Sequence, residues 1–350
     1  MKVLLTVVLM LLALTAPARA DYTLIVPQEP GGGTSIWATV VASELEKKLG
    51  ERVIIRHIPG ARDQIGFDKF HNRLRFDEKT IMVSHGGNAV SFLQEKVDYN
   101  YADYSPVAIM NNNIIVSRRE DLDWREEKII FPERSGTVPE SMALALLVGG
   151  PDAWDNWSQR VVYVKRMDTP ECRMAFRRGE INVTRENPAA HKKHVEPVPG
   201  AVPFFHHGLF DPESGKFDRD PNFPEVPTLE ELYSETWGAY PEGRLYEAYK
   251  MVKAWRDGVQ KALWVNRGNP DLERLRSAVR AMLDDPEAME RIHAKLGSYP
   301  WHVGGEAENY MNALYPLITE EAMETLVEFN RDALNLDSFY NEKLIYRKDE

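Results

Sequence analysis

The sequence predicts a two-lobed α/β protein with a ligand-binding cleft between the lobes. Three observations support this prediction. Strand, loop and helix follow one another three times between residues 22 and 94, an order typical of a parallel sheet covered by helices on both faces. The pattern breaks near residue 105 and starts again near residue 129. About 330 residues follow a predicted leader. A chain of this length usually folds around more than one hydrophobic core.

The first twenty residues predict a secretory signal peptide. Lys2 gives a positive start, residues 3–14 are apolar, and a small-x-small cleavage site ends at Ala20. We expect cleavage after Ala20, export to the periplasm and a mature chain that begins at Asp21. The apolar stretch is shorter than the ~20 residues of a membrane-spanning helix, and no later apolar run reaches that length.

The charge balance argues against two classes of partner. The chain carries 43 Lys and Arg against 54 Asp and Glu, a formal net charge of −11, which becomes −13 when Lys2 and Arg19 leave with the leader. A surface this acidic disfavours nucleic acid and anionic membranes. An anionic ligand would therefore have to be held by local donors.

In the first lobe we predict strands at 22–26, 53–55 and 80–84, with helices at 35–49, 64–70 and 89–94. Further strands are expected at 105–110, 114–117, 129–131, 161–164, 180–183, 202–206 and 262–265. Further helices are expected at 139–147, 169–178, 271–283, 287–296 and 306–334. The predicted lobes are 21–118, 119–205 and a return to the first lobe over 206–350, with irregular insertions at about 209–224 and 234–258 and C-terminal helices that cross the lobes.

The glycine-rich loop at 30–35 is the strongest local signal for a ligand site. Three consecutive glycines, ending in Gly32 and Gly33, precede Thr34, Ser35 and a helix. Bare N–H groups at a helix start bind anions. A plain glycine turn with a Ser or Thr cap is an equally good interpretation of this loop taken alone.

A second turn of the same type favours the ligand-site interpretation. Gly60 and Ala61 also follow a strand and precede a helix, and both turns should emerge at one edge of a parallel sheet. Arg62 can offer a planar fork to a carboxylate, or it can be a surface arginine paired with Asp63. Ser84 and His85 end the third strand, and His85 can equally be an ordinary polar loop residue.

The order of these motifs resembles the substrate-binding proteins of tripartite tricarboxylate transporters, the Bug receptors. The resemblance rests on Pro-Gly-Gly-Gly-Thr at 30–34, Pro-Gly-Ala-x-x-x-Ile-Gly at 59–66, Gly-Glu-Ile-Asn-Val at 179–183 and Pro-Glu-Val-Pro-Thr at 224–228. Asn-Pro at 269–270, Asp-Pro-Glu at 285–287 and Lys-Leu-Gly at 295–297 complete it. These motifs run in order from about residue 22 to 305.

The resemblance implies a two-lobed type II periplasmic-binding-protein fold, with a mainly parallel sheet in each lobe. It also implies a receptor that closes over a small carboxylate and delivers it to a membrane permease. The ligand-binding residues that it implies are Gly32, Gly33, Thr34, Ser35, Gly60, Ala61 and Ser84 in the first lobe, and Ser135, Thr137 and Lys165 in the second.

The chain departs from the family pattern at three places in these motifs. Ser35 stands where the family usually has Asp, Arg62-Asp63 where it has Gly-Gly, and Arg166 where it has a turn glycine. Loss of an acid and gain of arginines would make the pocket more cationic. We therefore hypothesise a ligand whose carboxylate meets Arg62, and unchanged affinity in an Arg62→Ala variant would contradict this.

Residues that often mark other chemistry give weaker signals. Cys172 is the single cysteine, so no internal disulfide can form, and a small buried residue explains it better than a nucleophile. The histidines at 191, 194, 206 and 207 lack metal-site spacing, and neither a nucleophile elbow nor a phosphate-binding loop occurs. We expect no metal, no cofactor, no catalysis and a monomer.

Two other functions stay open from the sequence. A ligand-sensing receptor for a membrane signalling partner would need the same lobe closure as a transport receptor. A periplasmic hydrolase on the same fold is a further alternative, although no nucleophile and base can be paired in the sequence. Trp37 follows the glycine loop and either walls the cleft or packs in the core.

Overall fold

The computed structural model describes residues 21–61, 63–94, 97–133, 137–165, 167–339 and 344. The predicted signal peptide, Arg62, Ser135 and Arg166 lie outside the described residues. No helix within the described ranges is long and apolar enough to cross a membrane.

The strands are β1 (Tyr22–Val26), β2 (Val53–His57), β3 (Thr80–His85), β4 (Tyr104–Met110), β5 (Ile115–Arg119), β6 (Ile129–Glu133), β7 (Val161–Lys165), β8 (Val183–Glu186), β9 (Ala201–His206), β10 (Leu209–Phe210), β11 (Phe217–Asp218), β12 (Lys261–Asn266) and β13 (Trp301–Val303). The helices are α1 (Gly33–Leu49), α2 (Gln64–Asn72), α3 (Gly86–Gln94), α4 (Val138–Gly149), α5 (Ala153–Asn156), α6 (Thr169–Arg178), α7 (Pro188–His194), α8 (Leu229–Trp237), α9 (Arg244–Gly258), α10 (Leu272–Leu283), α11 (Pro286–Leu296), α12 (Gly305–Leu314) and α13 (Glu320–Asp332).

The larger sheet has six strands in the order β13-β4-β12-β3-β1-β2. β1 runs parallel to β2 and β3, whereas β12 runs antiparallel to β3 and β4. The second group of strands forms an antiparallel β8-β5-β9 sheet and a parallel β6-β7 pair. The α/β prediction is confirmed, but the sheets are mixed rather than mainly parallel because strands that return from distant parts of the chain enter antiparallel.

Local capping signals explain the helix boundaries that the sequence predicts best. Asp168 accepts a hydrogen bond from the backbone of Glu171 while the Glu171 side chain accepts one in return, and Gly179 ends α6 in the left-handed conformation. Gly50 ends α1 in the same way. The predicted helix over 169–178 is confirmed residue for residue.

The segment predicted as an irregular insertion at 234–258 is instead mostly helical, and that prediction is wrong. It ends α8 and contains α9, whose residues from 251 to 258 are all buried. The polar residues Lys253, Arg256 and Asp257 are buried too, so the charges in the second half of this helix do not mark a solvent-exposed face. Residues 209–224 do hold only the short β10-β11 hairpin.

Three other element predictions differ from the structure. The strand expected at 180–183 lies at Val183–Glu186, and the helical tail expected over 306–334 consists of two helices separated at 315–319, where Pro316 lies in a 3₁₀ turn. The helix expected at 89–94 begins earlier, at Gly86, directly after β3. A Cβ on Gly86 would collide with the carbonyl oxygen of Arg256, so this close approach requires glycine.

The largest hydrophobic core joins the two groups of strands. It includes Met82 under the six-stranded sheet, Phe131 on β6, Leu144 on α4 and Trp255 on α9. Helix α9 packs against α3, α4 and α13 at once. A second core, containing Trp37 and Leu263, lies between the larger sheet and helices α1, α10 and α11.

Candidate functional site

A cleft of about 610 Å³ lies at the carboxyl ends of β1 and β3, the position where α/β sheets bind ligands. Both groups of strands contribute to it. The side of the six-stranded sheet contributes Gln28, Gly33, Thr34, Ile36, Trp37, Asp63, His85, Gly87, Met110, Arg256, Gln260, Lys261, Lys295 and Leu296, and the other side contributes Asn112, Ile114, Arg185, Asn187, Ala189, Ala190, Lys193 and His194.

Three loops that follow β1, β2 and β3 meet at one wall of this cleft. The Gln28 side-chain amide donates to a carboxylate oxygen of Asp63 at 2.9 Å, and His85 Nε2 lies 2.9 Å from the same oxygen. The Gln28 carbonyl lies 2.8 Å from a ring nitrogen of His57. The convergence expected of parallel strands is therefore present.

Hydrogen bonds engage both ring nitrogens of His85. Its Nδ1 accepts from the Gly87 backbone N–H at 3.0 Å, which leaves the proton on Nε2 to be donated to Asp63. Burial lowers the pKa of His85, and Asp63 opposes this only in part. The imidazole is therefore neutral at pH 7, and neither nitrogen is available to a third group.

Of the predicted ligand residues, Gly33, Thr34 and His85 line the cleft. Ser35 is buried directly behind them, and its hydroxyl accepts from the Gly31 N–H at 3.3 Å. The glycine-rich loop thus reaches the cleft, while the Ser35 hydroxyl holds the shape of that loop.

The other described residues of the predicted site do not occur in the cleft lining: Gly32, Gly60, Ala61, Ser84, Thr137 and Lys165. Ser84 is fully buried and accepts a hydrogen bond from Trp264 Nε1 at 2.7 Å. Thr137 is fully buried ahead of α4, and Lys165 is exposed at the end of β7. Alternation along β3 explains Ser84, because its neighbour His85 faces the cleft.

The second turn places a carboxylate in the cleft. Asp63 has a left-handed backbone, with φ of 71°, and does not cap α2 with its side chain. Its carboxylate instead contacts Gln28 and His85. The expectation of bare amides at this turn therefore needs correction, since an acid stands at the start of α2.

Sequence reasoning missed most of the positive charge in the cleft. Five cationic side chains line it, and Asp63 is the single carboxylate among the described lining residues. The five are Arg185, Lys193, Arg256, Lys261 and Lys295. In a chain with a net charge of −11, this concentration of cations is local and opposite to the overall charge.

Two of these cations share a buried counter-ion. Glu140, on α4, is fully buried and lies 3.1 Å from Arg256 and 3.3 Å from Arg185. Although burial raises its pKa, the guanidinium groups of Arg256 and Arg185 lower the pKa of Glu140 to about 2. The pairing fixes both guanidinium groups at the edge of the cleft.

Among the described residues, no group of three or more His, Cys, Asp and Glu side chains is arranged to hold a metal ion. His191 is buried on α7, and Cys172 is buried on α6. Trp37 serves both roles left open by the sequence, because it lines the cleft and also stacks on Trp301 at 5.7 Å in the core.

Comparison with solved structures shows which known proteins share this fold. A TctC solute-binding protein from Polaromonas superposes with a TM-score of 0.60 at 16% identity, covering 86% of this chain and 98% of that chain. A Rhodopseudomonas palustris protein with adipate gives 0.60 at 16% identity, covering 89% and 98%. MatC from the same species, with bound malate, gives 0.55 at 16% identity, covering 88% and 99%.

The chain has the fold of the periplasmic solute-binding proteins. This confirms the two-lobed type II fold class expected from the sequence. No family model matches the sequence, and no curated protein matches it by sequence. The similarity in fold extends over most of the chain.

Proposed function

We propose that this protein is a periplasmic receptor that captures a small carboxylate between its two lobes and delivers it to a tripartite membrane transporter. The observation that carries the proposal is the cleft lined by five cations and one carboxylate in an acidic protein. A cleft of about 610 Å³ suits a small molecule. The malate and adipate bound by proteins of the same fold agree with this ligand class.

In the proposed mechanism, the ligand first contacts the wall formed by Thr34, His85 and Lys261. Arg185 and Lys193 from the other wall then complete its surroundings when the lobes close. Binding shifts the population toward the closed state, because the second set of contacts exists only there. The membrane permease would recognise the closed form. The lobe limits of 21–118, 119–205 and 206–350 stay predictions.

The geometry of His85 and Asp63 supports binding over hydrolysis. A histidine beside a carboxylate resembles two members of a catalytic triad, but general-base catalysis needs a free ring nitrogen next to the nucleophile. Here Nε2 contacts Asp63 and Nδ1 accepts from Gly87. We therefore propose no enzymatic role, and a turnover assay with carboxylate esters and amides tests this.

Thermal unfolding of the mature chain with a panel of mono-, di- and tricarboxylates tests the ligand class. A ligand that binds the native state stabilises it by ~2.7 kcal/mol at a concentration about 100 times Kd, which raises Tm. Sugars and cations serve as control ligands. A response to sugars or cations with none to any acid would contradict the proposal.

Location and delivery need separate tests. Cell fractionation followed by N-terminal sequencing should find the protein in the periplasm with Asp21 as its first residue. Uptake of the identified acid should fail in cells that carry a receptor variant unable to bind it. Normal uptake together with loss of a transcriptional response would instead support the ligand-sensing alternative.

A further inference from the structure

Lys261 lines the cleft at the edge of the six-stranded sheet. It is the first residue of β12 and lies directly opposite His85 on β3 and Met110 on β4 in the antiparallel register. Residues opposite each other in antiparallel strands present their side chains on the same face. All three residues line the cleft, so the Lys261 side chain belongs to the surface that a ligand would contact.

The two arginines in the cleft already have internal counter-ions. Arg256 lies 3.1 Å from Glu140 and 3.1 Å from Asp257, and Arg185 lies 3.3 Å from Glu140. Lys193 and Lys295 are exposed at the rim, where water solvates them. The two arginines and the two rim lysines therefore need no ligand to compensate their charges.

Lys261 is different, because its ammonium group contacts only neutral acceptors. Its Nζ lies 3.1 Å from the backbone oxygen of Gln260 and 3.2 Å from the side-chain oxygen of the same residue. Among the described residues, no carboxylate lies within ion-pair distance of it, although Asp63 in the same cleft acts on it from farther away, and the residue is half-buried. Holding a charge away from water without a counter-ion is costly.

We propose that Lys261 is the residue that pairs with the carboxylate of the ligand, and that the ligand supplies the direct ion pair which no described carboxylate of the protein makes with this ammonium group. This inference rests on the proposed carboxylate-binding function and assigns its central contact. Neither the motif resemblance nor the glycine-rich loop indicates this residue.

The surroundings of Lys261 couple this contact to protons. Burial lowers the pKa of Lys261 to about 7, Asp63 opposes that effect, and Arg256 adds to it. The remaining charged or titratable groups in the cleft are His85, Arg185, Lys193, His194 and Lys295. A bound carboxylate raises the pKa of the ammonium group, so binding near or above neutral pH should take up a proton.

Calorimetric titration of the mature chain with malate and adipate tests the inference. Measurements run from about pH 6 to about pH 9 in buffers of different ionisation enthalpy. For the wild type we expect binding to take up protons near about pH 9, and we expect the affinity for the acid to fall as the pH rises. Lys261→Met should weaken binding roughly 10-fold or more at about pH 6 and abolish the proton uptake.

Two variants separate charge from structure. Lys261→Arg keeps a charge at every pH in this range, so it should restore affinity near the upper end and remove the pH dependence. Lys128→Met removes an exposed lysine that is absent from the cleft lining and should bind like the wild type. Without ligand, Lys261→Met should have a higher Tm than the wild type at about pH 6, because it removes an uncompensated charge.

The outcomes distinguish the two proposals. Tight binding of an acid by the wild type with unchanged affinity in Lys261→Met would overturn the role of Lys261 and leave the receptor function standing. Failure of the wild type to bind any acid, even at the lower pH, would overturn both. A lower Tm for ligand-free Lys261→Met at about pH 6 would show that the ammonium is compensated within the protein, and would also overturn the inference.

Discussion

The guanidinium group of Arg256 lies 3.1 Å from the carboxylate of Glu140, and this contact joins α9 to α4 beside the cleft. Both side chains are almost completely buried. The same carboxylate lies 3.3 Å from Arg185 on β8. A single buried acid therefore holds two of the five cations that line the cleft.

Replacing Glu140 with glutamine should destabilise the protein strongly. The change removes the counter-ion that Arg185 and Arg256 share, and breaking a buried pair in this way typically costs about 3–5 kcal/mol. Urea unfolding at pH 7 measures the loss. The exposed Glu180→Gln, which breaks a surface pair with Arg178, should leave the unfolding curve almost unchanged. Equal midpoints for the two variants would show that the buried pair contributes no more than the surface one.

Helix α9 should behave as part of the core. Met251 is fully buried on α9, so Met251→Ala should lower the free energy of unfolding by about 2–5 kcal/mol, through lost burial and the cavity left behind. Met174 on α6 is 46% exposed, and Met174→Ala is the matched control with a much smaller effect. A small loss at position 251 would support the insertion that the sequence predicts there.

His206 should make the protein less stable in mild acid. Burial, together with the nearby His207 and Lys253, lowers the pKa of His206 to about 3. Its unfolded value is about 6.5, so between these values the unfolded chain binds the extra proton. Stability from this group is therefore present above about pH 6.5 and is lost as the pH falls, by ~1.4 kcal/mol per pH unit.

Denaturant unfolding at several pH values between about 4.5 and about 7.5 measures the slope. Burial also lowers the pKa of His85, His191 and His302, so the total slope of the wild type includes several groups. The difference between the wild type and His206→Asn isolates the contribution of one proton. Parallel curves for the two proteins would mean that His206 can be protonated in the folded state.

Charge reversal on α7 should distinguish the cleft from the surface around it. Lys193 lines the cleft, and its neighbour Lys192 is exposed but absent from the lining. Lys193→Glu should weaken the binding of malate or adipate by roughly 5-fold, an effect that salt reduces. Lys192→Glu changes the net charge equally and should bind like the wild type. Equal weakening by both would indicate a long-range effect of net charge rather than a contact in the cleft.

The parts of the fold that local signals specify could be predicted from the sequence. Glycine and proline turns mark the ends of β1 and β2, and Asp168 with Gly179 defines α6. Helix α9 could not be found in this way. Its buried charges are stabilised by partners far away in the sequence, as in the pairs of Lys253 with Glu230 and Arg256 with Glu140. A hydrophobic pattern cannot reveal such pairs.

The candidate site could be predicted only where residues at the end of a predicted strand line the cleft. The glycine-rich loop and His85 line the cleft because they lie at the carboxyl ends of parallel strands. The positions of those strands along the chain could be predicted from the sequence. Lys261 and Arg185 reach it on strands whose places in their sheets are set by tertiary pairing. A lysine at the start of a late strand has no local feature that separates it from a surface lysine.

Helix α9 connects helices from both groups of strands. It packs on α3 from one side of the molecule and on α4 from the other, and it carries Arg256 to the edge of the cleft. In the proposed closure of the lobes, at least one of these two interfaces would have to slide, or the helix would have to serve as the axis. A ligand anion near Arg256 would weaken the attraction between Arg256 and Glu140. Ligand binding would therefore change how strongly the contact between α9 and α4 resists rotation of the lobes.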